Sequence, residues 1–334
     1  MNIDLKELSG DKKNFYEYLW KDNSFSAEPI LTGKTDHSYE FFNVINDVSI
    51  KMAELFDLQN KSEFYKKFKM SCSGNGDEIK KITTMHSSSL CALLFFYNVT
   101  KDNTLTINYP GLENVVFYES LFEVKNKVIR FPSNVDVVLI GYNINNEEEK
   151  VLLFLESKFS EYITGITKKG KSYEIGKGYI DSCDTKKIYC SEVLEDFGLK
   201  LDTSHHDKYY LIPDTDKYVE GIKQMVSHHV GIRNFLQSGP YNKNDEEVIQ
   251  KLKALLNDKD KLKVILGEIV FDNFPEKQLQ KLDEYEKDYL KISDLLNSIY
   301  NDCGVKVLDK TLRYSLFKNN GFKLDKKVAQ FYRV

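Results

Sequence analysis

Three ionisable side chains border two apolar segments in the middle of the chain. Asp136 precedes residues 137–140, which are all aliphatic, and Glu156 and Lys158 follow the five apolar residues 151–155. Such runs are typical of strands buried on both faces of a sheet. A carboxylate at the end of a buried strand is costly without a positive charge beside it, and Mg²⁺ binds one or two protein carboxylates together with water and phosphate oxygens. These residues therefore predict a magnesium site.

The segment between the two runs predicts how these side chains meet. Residues 143–150 are polar and rich in asparagine, which favours a turn that joins the strands as an antiparallel hairpin. If the turn is centred near the middle of this segment, Asp136 lies opposite Glu156. Paired side chains on one face have Cβ atoms about 5 Å apart, so the two carboxylates would share a cation. Strand side chains alternate, so Lys158 shares the face of Glu156 while Ser157 points away.

This arrangement suits the hydrolysis of a phosphodiester. The metal would polarise the phosphate and lower the pKa of a bound water. Lys158 would orient or deprotonate that water and stabilise the charge that develops on the phosphate. Glu-x-Lys tripeptides also occur at residues 78–80, 123–125 and 148–150, so a strand-end salt bridge at the surface is the alternative. Only residues 156–158 close an apolar run with an acid at the mirrored position.

Asp136, the tripeptide Glu156-Ser157-Lys158 and the predicted hairpin resemble the signature of the PD-(D/E)XK nuclease superfamily, which has the restriction-endonuclease-like fold. The chain is more closely similar to a group of uncharacterised bacterial proteins within it. In that group a serine-rich helix precedes the site, as at residues 86–90 here, and a hydroxyl–acid pair follows the lysine, as at residues 158–161. The resemblance covers roughly residues 84–270, and the first 80 residues carry none.

The resemblance implies a mixed sheet flanked by helices and Mg²⁺-dependent cleavage of nucleic acid, with Mn²⁺ as a substitute. Asp136 and Glu156 would bind the metal, the backbone carbonyl of Ser157 would be a further ligand, and Lys158 would act in catalysis. Glu119 aligns loosely with an upstream acidic position that some members use for metal. The aspartate follows Val135 rather than a proline, which departs from the usual signature.

A lysine-rich and glycine-rich segment follows the site and includes two interleaved tyrosines. Its lysines would contact phosphates of a nucleic acid, which positions the backbone without reading its sequence. A solvated loop is the alternative. The lysines concerned are Lys168, Lys169, Lys171 and Lys177.

Two predicted helices carry candidate supporting residues. Gln224 and His228 are one turn apart and share a face, and related nucleases often carry a glutamine on a helix near the metal. A buried, hydrogen-bonded pair in the core is the alternative role. Ser88 lies at the start of a helix whose amides could hold an anion, with plain capping as its alternative.

The spacing of apolar residues predicts an α/β (α+β) chain with a mixed central sheet flanked by helices. Residues 1–80 are expected to form a helical N-terminal extension, and residues 81–334 a nuclease-like domain. Helices are predicted over residues 11–21, 39–58, 62–69, 218–236, 245–256 and 276–300, and within residues 83–97, where serines can serve as the N-cap. Strands are predicted over residues 115–118, 135–142, 151–155, 187–190, 209–212 and 263–271.

Composition narrows the class of protein. The chain has 334 residues, of which 41% are hydrophobic, which excludes a disordered protein. The net charge of -4 excludes coating of nucleic acid through overall charge, so any such site must be a local basic patch. We expect a cytoplasmic protein without a membrane segment, because no secretory leader and no apolar run of about 20 residues is present. The five cysteines contain no CxxC pair and are expected to be reduced.

The sequence therefore predicts a Mg²⁺-dependent endonuclease acting on DNA, in a restriction or other defence setting. Nothing in the sequence separates DNA from RNA as substrate. Cutting both strands of a duplex usually requires two sites, which favours a homodimer. The alternatives are a catalytically inactive subunit of the same fold that binds nucleic acid or a partner, and a structural protein without nucleic-acid contact.

Overall fold

A computed structural model describes residues 17–20, 41–73, 79, 82–128, 132–160, 173–180, 186–206, 208–213, 221–319 and 322–334. Its helices are α1 (Phe41–Leu55), α2 (Lys61–Ser71), α3 (Ser88–Phe96), α4 (Lys177–Ile180), α5 (Ser191–Asp196), α6 (Ile222–Ser238), α7 (Glu246–Leu256), α8 (Glu276–Tyr300) and α9 (Lys326–Tyr332). Its strands are β1 (Leu105–Thr106), β2 (Val115–Lys127), β3 (Pro132–Asn143), β4 (Asn146–Lys158), β5 (Tyr173–Ile175), β6 (Leu199–Asp202), β7 (Tyr209–Pro213), β8 (Leu262–Val270), β9 (Val305–Val307) and β10 (Leu312–Arg313).

Seven strands form one mixed sheet in the order β1-β2-β3-β4-β8-β10, with β9 also paired to β8. Strands β1 to β4 pair in antiparallel fashion, whereas β8 is parallel to β4 and both β9 and β10 are parallel to β8. The prediction of an α/β chain with a mixed sheet flanked by helices is therefore confirmed.

Helices cover both faces of this sheet around β4. A parallel pair such as β4 and β8 needs a crossover connection, and α6 and α7 lie within it, after a small antiparallel sheet of order β5-β7-β6. Helix α6 packs on β2 and β3, and α3 packs on β3 and β4. Ser157 bonds to the α3 side while its neighbour Glu156 bonds to α6, so the two helices lie on opposite faces.

The predicted register of the central hairpin is confirmed. Val137 pairs with Leu155, and the ladder continues in step to Tyr142 and Lys150. The polar segment 143–150 was wrongly predicted as a turn throughout, because only residues 144 and 145 turn and β4 already begins at Asn146. The backbone amide of residue 145 donates to the side chain of residue 143, which closes this short turn.

The predicted strand over residues 187–190 is wrong. These residues form turns and bends, and Cys190 is the N-cap of α5. The side chains of Ile188 and Tyr189 are nevertheless buried, so the apolar pair packs into the core from turns and bends. The first central strand was predicted too short, because β2 continues to Lys127.

The described residues before residue 80 share one hydrophobic core with the rest of the chain. The indole of Trp20 stacks near Phe159 and donates from Nε1 to the carbonyl of Phe331 in α9, at 3.0 Å. Phe56 packs edge-on against the same Phe331 ring. Helix α9 therefore joins the N-terminal residues to the region beyond β4, and the predicted division of the chain at residue 80 stays a prediction.

No helix in the described ranges is both long and apolar enough to cross a membrane.

Candidate active site

Asp136 and Glu156 lie on the neighbouring central strands β3 and β4. Continuing the register by one residue beyond Val137 and Leu155 places Asp136 beside Glu156. The backbone amide of Ser157 donates to Asp136 Oδ2 at 2.8 Å, which ties the aspartate to the Glu-x-Lys segment. The hairpin therefore brings together the two acids, as the sequence predicts.

Glu156 is the centre of a polar cluster beneath helix α6. Its side chain is buried, and Oε1 lies 3.0 Å from the Lys158 ammonium and accepts a hydrogen bond from Gln224 Nε2 at 2.5 Å. Its other oxygen, Oε2, lies 3.1 Å from His228 Nε2. Lys158 also donates to Gln224 Oε1 at 2.6 Å. The structure thus brings Lys158, Gln224 and His228 to one carboxylate.

Helix α6 reaches the cluster because its geometry is fixed at two glycines. Gly221 is the N-cap and has a φ of +75°, a left-handed conformation that glycine adopts without strain. Gly231 lies against the sheet, and a Cβ atom there would be 2.8 Å from Cβ of Asn126 on β2. The helix therefore lies close enough to the sheet for side chains one turn apart to contact β4.

The two acids have opposite electrostatic situations. Burial and the nearby carboxylates of Glu156 and Glu123 raise the pKa of Asp136 well above its ordinary value. Burial also acts to raise the pKa of Glu156, but Lys158 and His228 outweigh it and hold that pKa below its ordinary value. Glu156 is therefore the carboxylate that is stable as an anion. The ionised form of Asp136 is disfavoured, because positive groups do not fully offset its burial and its acidic neighbours.

A third carboxylate, missed in the sequence, lies on the next strand. Glu268 on β8 pairs in register with Glu156 and is 1% exposed. It accepts a hydrogen bond at 2.5 Å from the hydroxyl of Tyr285 on α8. Burial raises the pKa of Glu268. The sequence does show Glu268 as a lone acid within the apolar segment 263–271. It does not show that this segment pairs with β4.

Glu123 on β2 is a further acid beside Asp136. The pairs Phe122–Val137 and Val124–Val135 flank it, which places Glu123 across from Asp136. Glu123 is buried and has a φ of +48°, which is strained for a residue with a side chain. The Glu-x-Lys tripeptide that begins at Glu123 has no acid at a mirrored position, so the sequence did not identify Glu123 as a neighbour of Asp136.

The structure does not bring Glu119 to the cluster. Glu119 pairs with Ile140, four positions along β3 from Asp136, which is about 13 Å along a strand. Its carboxylate forms an ion pair with Lys251 of α7, and Lys251 also contacts Glu247 at 2.7 Å. The expectation that Glu119 binds the metal is therefore corrected: this acid belongs to an ion-pair network between β2 and α7.

Ser88 lies on the opposite face of the sheet. Its backbone carbonyl accepts a hydrogen bond from the Ser157 hydroxyl at 3.0 Å, and that hydroxyl also lies 2.9 Å from the Tyr314 hydroxyl. The side chain that caps α3 is that of Ser87, which accepts from the amide of Leu90. Ser88 therefore supports the backbone of the Glu-x-Lys segment from behind, away from the carboxylates.

Three of the four candidate phosphate-binding lysines, Lys168, Lys169 and Lys171, lie outside the described residues. Lys177 starts α4, donates to the carbonyl of His206 and lies 5.2 Å from the ring centre of Tyr209. It is therefore packed against the small sheet that the chain builds between β4 and α6.

Oxygen donors suited to a divalent cation are present at the hairpin. In the described part of the chain, no group of three or more His, Cys, Asp and Glu side chains is arranged to hold a metal ion. Mg²⁺ typically takes only one or two protein carboxylates and completes its shell with water and substrate oxygens. Asp136 and Glu156 provide two carboxylates on adjacent strands, and the Ser157 amide ties Asp136 to the segment that carries Glu156. The residues therefore fit such a group.

Comparisons with models of known protein families, with curated proteins and with solved structures found no match.

Proposed function

We propose that this protein is a Mg²⁺-dependent endonuclease that hydrolyses phosphodiester bonds of DNA. The observation that carries the proposal is the contact of Glu156 with Lys158, Gln224 and His228, with Asp136 tied to the same segment by the backbone amide of Ser157. The mixed sheet between helices is the architecture that the resemblance to PD-(D/E)XK nucleases implies, and it supports a restriction-endonuclease-like fold.

Asp136 and Glu156 would hold the metal, with the backbone carbonyl of Ser157 as a further ligand. When bound, the cation would polarise the phosphate and lower the pKa of its bound water. Glu156 Oε1 accepts hydrogen bonds from Lys158 and Gln224, and Oε2 lies 3.1 Å from His228 Nε2, so its position does not depend on the metal. This preorganised carboxylate would face the substrate without rearranging.

Lys158 would serve the substrate phosphate. Its ammonium group is fixed between Glu156 Oε1 and Gln224 Oε1, at 3.0 and 2.6 Å. An ammonium held in this way donates a hydrogen bond to a phosphate oxygen or orients the attacking water, and it stabilises charge as the bond breaks. Gln224 would set the direction of that ammonium, because its amide bonds to both partners.

The substrate follows from the chemistry of the site and from the resemblance. A carboxylate-bound cation beside a lysine suits a phosphodiester, and the resemblance implies a nucleic acid, for which we propose DNA. Because the protein has a net charge of -4, its contact with the nucleic-acid backbone would rely on a local basic patch. Action on both strands of a duplex favours a homodimer, and a defence role in the cytoplasm completes the proposal.

One observation favours the alternative of a catalytically silent subunit that binds nucleic acid. Glu156 Oε1 already accepts hydrogen bonds from Lys158 and Gln224, so a metal would compete with these two donors for this carboxylate. The silent protein would keep the cluster for the stability of the fold alone.

Cleavage of supercoiled plasmid in Mg²⁺ separates these functions. We expect the parent protein to nick or linearise the plasmid, and Lys158→Ala to reduce the rate by at least about 100-fold because a charge-stabilising donor is lost. The matched control is Lys150→Ala, which removes the lysine of another Glu-x-Lys tripeptide on the same strand, near the turn. It should cleave at the parental rate.

A mobility-shift assay on the same proteins reads binding independently. If the parent protein leaves the plasmid intact but shifts its mobility in a salt-sensitive way, the enzyme hypothesis is rejected in favour of the silent subunit. If the parent and Lys158→Ala cleave at equal rates, Lys158 has no role in the reaction and the proposed active site is wrong.

A further inference from the structure

Helix α6 carries a second buried histidine, which faces a different part of the molecule from His228. Successive residues of a helix project about 100° apart, so His229 does not share the face of His228. Its ring packs on the ring of Tyr300 at the end of α8, with the ring centres 4.7 Å apart. His229 is 0% exposed, and within the described residues neither of its ring nitrogens has a hydrogen-bond partner.

An imidazole in this position is tolerated only in its neutral form. A buried polar group without a hydrogen bond costs free energy, and a buried charge without an ion pair costs more. We propose that His229 makes the contact between α6 and α8 sensitive to acid, so that protonation of its ring releases α6 from α8. This device goes beyond the proposed nuclease function, because it concerns how the helix is held and not the reaction.

Two charged side chains act on the His229 ring. Arg233 lies one turn later on the same face of α6, and its guanidinium carbon is 5.8 Å from the centre of the Tyr300 ring. A proton on His229 would therefore add a second positive charge beside the guanidinium. Asp302, in the turn after α8, would attract that charge, but Asp302 is exposed and water screens the attraction. Burial and Arg233 outweigh Asp302 and lower the pKa of His229 from 6.5 to about 4.

The direction of the pH effect follows from these two values. In the unfolded chain the ring binds a proton as the pH falls below 6.5, whereas in the folded protein it stays neutral until about pH 4. The unfolded state therefore binds more protons in this window, and stability is lost as the pH falls through it. A local opening that exposes the ring gains the same proton, so acid favours the opening of α6 before the whole chain unfolds.

The position of α6 connects this opening to the candidate active site. One side of the helix packs on β2 and β3, and another packs on α8 and β9. The same helix carries Gln224 and His228, which contact Glu156. Loss of the contact with α8 would therefore weaken the support that holds these two side chains against β4.

NMR titration of the histidine rings in the full-length parent protein tests the proposal without any variant. The ring of His229 is identified by its proximity to the Tyr300 ring protons. It should stay neutral as the pH is lowered from 8 to about 5. A His229 ring that becomes protonated near pH 6.5 in a protein that is still folded would overturn the proposal.

Urea unfolding at pH 7 and pH 5 measures the contribution of this ring to stability. His229→Phe keeps a planar ring that can pack on Tyr300 and cannot bind a proton. Between pH 7 and pH 5 the unfolding equilibrium constant of the parent should rise about 10-fold or more relative to that of His229→Phe. The matched control is His205→Phe, because the side chain of His205 is 61% exposed, and it should follow the parent. A His229→Phe protein with the pH dependence of the parent would contradict the proposal.

Hydrogen exchange at the same two pH values, corrected for the intrinsic effect of pH on exchange, locates the opening. In the parent, acid should increase the exchange of α6 amides relative to those of β3 and β4, and His229→Phe should abolish this increase. Amides of α6 that stay as protected as the central strands at pH 5 would overturn the proposal. If His229→Phe does not fold, the ring titration and the exchange of the parent protein decide the question.

Discussion

Glu156 and Asp136 differ in how the protein compensates their charge. Glu156 accepts hydrogen bonds from Lys158 and Gln224 and lies beside His228, whereas Asp136 accepts from the amide of Ser157 and lies near the carboxylates of Glu156 and Glu123. Removing water from Asp136 without a full charge partner costs free energy in the metal-free protein. The site therefore carries a local destabilisation that a cation would relieve.

The prediction at the residue scale concerns the pH dependence of the free energy of unfolding. Burial and neighbouring carboxylates raise the folded-state pKa of Asp136 above the value in the unfolded chain, so the folded state favours the protonated acid. Stability is therefore lost as pH rises from the unfolded value through the folded one. Asp136→Asn keeps an acceptor for Ser157 and removes the ionisation. In EDTA it should be more stable than the parent by about 1–2 kcal/mol at pH 8.

Denaturant unfolding at pH 5, 6, 7 and 8 measures this difference. The gap between Asp136→Asn and the parent should widen as pH rises, and excess Mg²⁺ should narrow it by stabilising only the parent. A variant that is less stable than the parent at every pH would show that the carboxylate is well compensated. Glu147→Gln, at an exposed acid near the turn of the same hairpin, is the control for loss of one negative charge.

At the scale of elements, the sequence predicted the part of the site that depends on local chain geometry. Asp136 and Glu156 belong to one hairpin, so the turn alone sets their register and the pairing could be derived. Gln224 and His228 share a face because a helix places residues four apart together. These predictions needed no knowledge of contacts between distant segments.

The parts that sequence reasoning missed depend on pairing between distant segments. Glu268 reaches Glu156 only because β8 pairs in parallel with β4 after a crossover of more than 100 residues, and its register is not encoded locally. Glu119 was misplaced for the same reason, because the β2–β3 register puts it opposite Ile140. The apolar pair in residues 187–190 correctly predicts burial, but burial alone does not distinguish a strand from a packed turn.

The prediction at the element scale concerns the distance between α6 and the sheet. Gly231→Ala would place a methyl group 2.8 Å from Cβ of Asn126, so the helix must move outward. Overpacking of this kind costs about 1–3 kcal/mol, part of which the better helix propensity of alanine offsets. Cleavage should fall about 10-fold or more, because Gln224 and His228 move away from Glu156.

Plasmid cleavage and thermal unfolding, measured side by side, check this prediction. Gln237→Ala, in the exposed last turn of the same helix, should leave both unchanged. Full activity of Gly231→Ala at parental stability would mean that the contacts of α6 with the hairpin do not matter for the reaction.

At the scale of the whole molecule, composition predicted a folded chain and the spacing of apolar residues predicted its mixed class, with which the mixed sheet agrees. The composition did not indicate how the N-terminal residues pack. Trp20 and Phe56 contact Phe331, so the beginning and end of the chain stabilise each other. Contacts between residues more than 270 positions apart leave no trace in local spacing, so the sequence could not indicate them.

The core also explains how the sheet can carry buried carboxylates. Helices cover both faces of β4, and the neighbouring strands β3 and β8 are apolar along most of their length. This extensive burial contributes the stability that the charged cluster reduces, since each buried large aliphatic side chain contributes about 1.5–3 kcal/mol. The position of the carboxylates at the end of β4 thus depends on packing contributed by the whole chain.

The central claim is that Asp136 and Glu156 jointly hold a divalent cation. Anomalous scattering from a crystal soaked in Mn²⁺ tests it most directly, with a crystal of Asp136→Asn as the control. A peak about 2.0–2.3 Å from one oxygen of each carboxylate, lost in the variant, is the predicted result. A soaked parent crystal with no peak between these two side chains, or with the peak unchanged in Asp136→Asn, would contradict the claim.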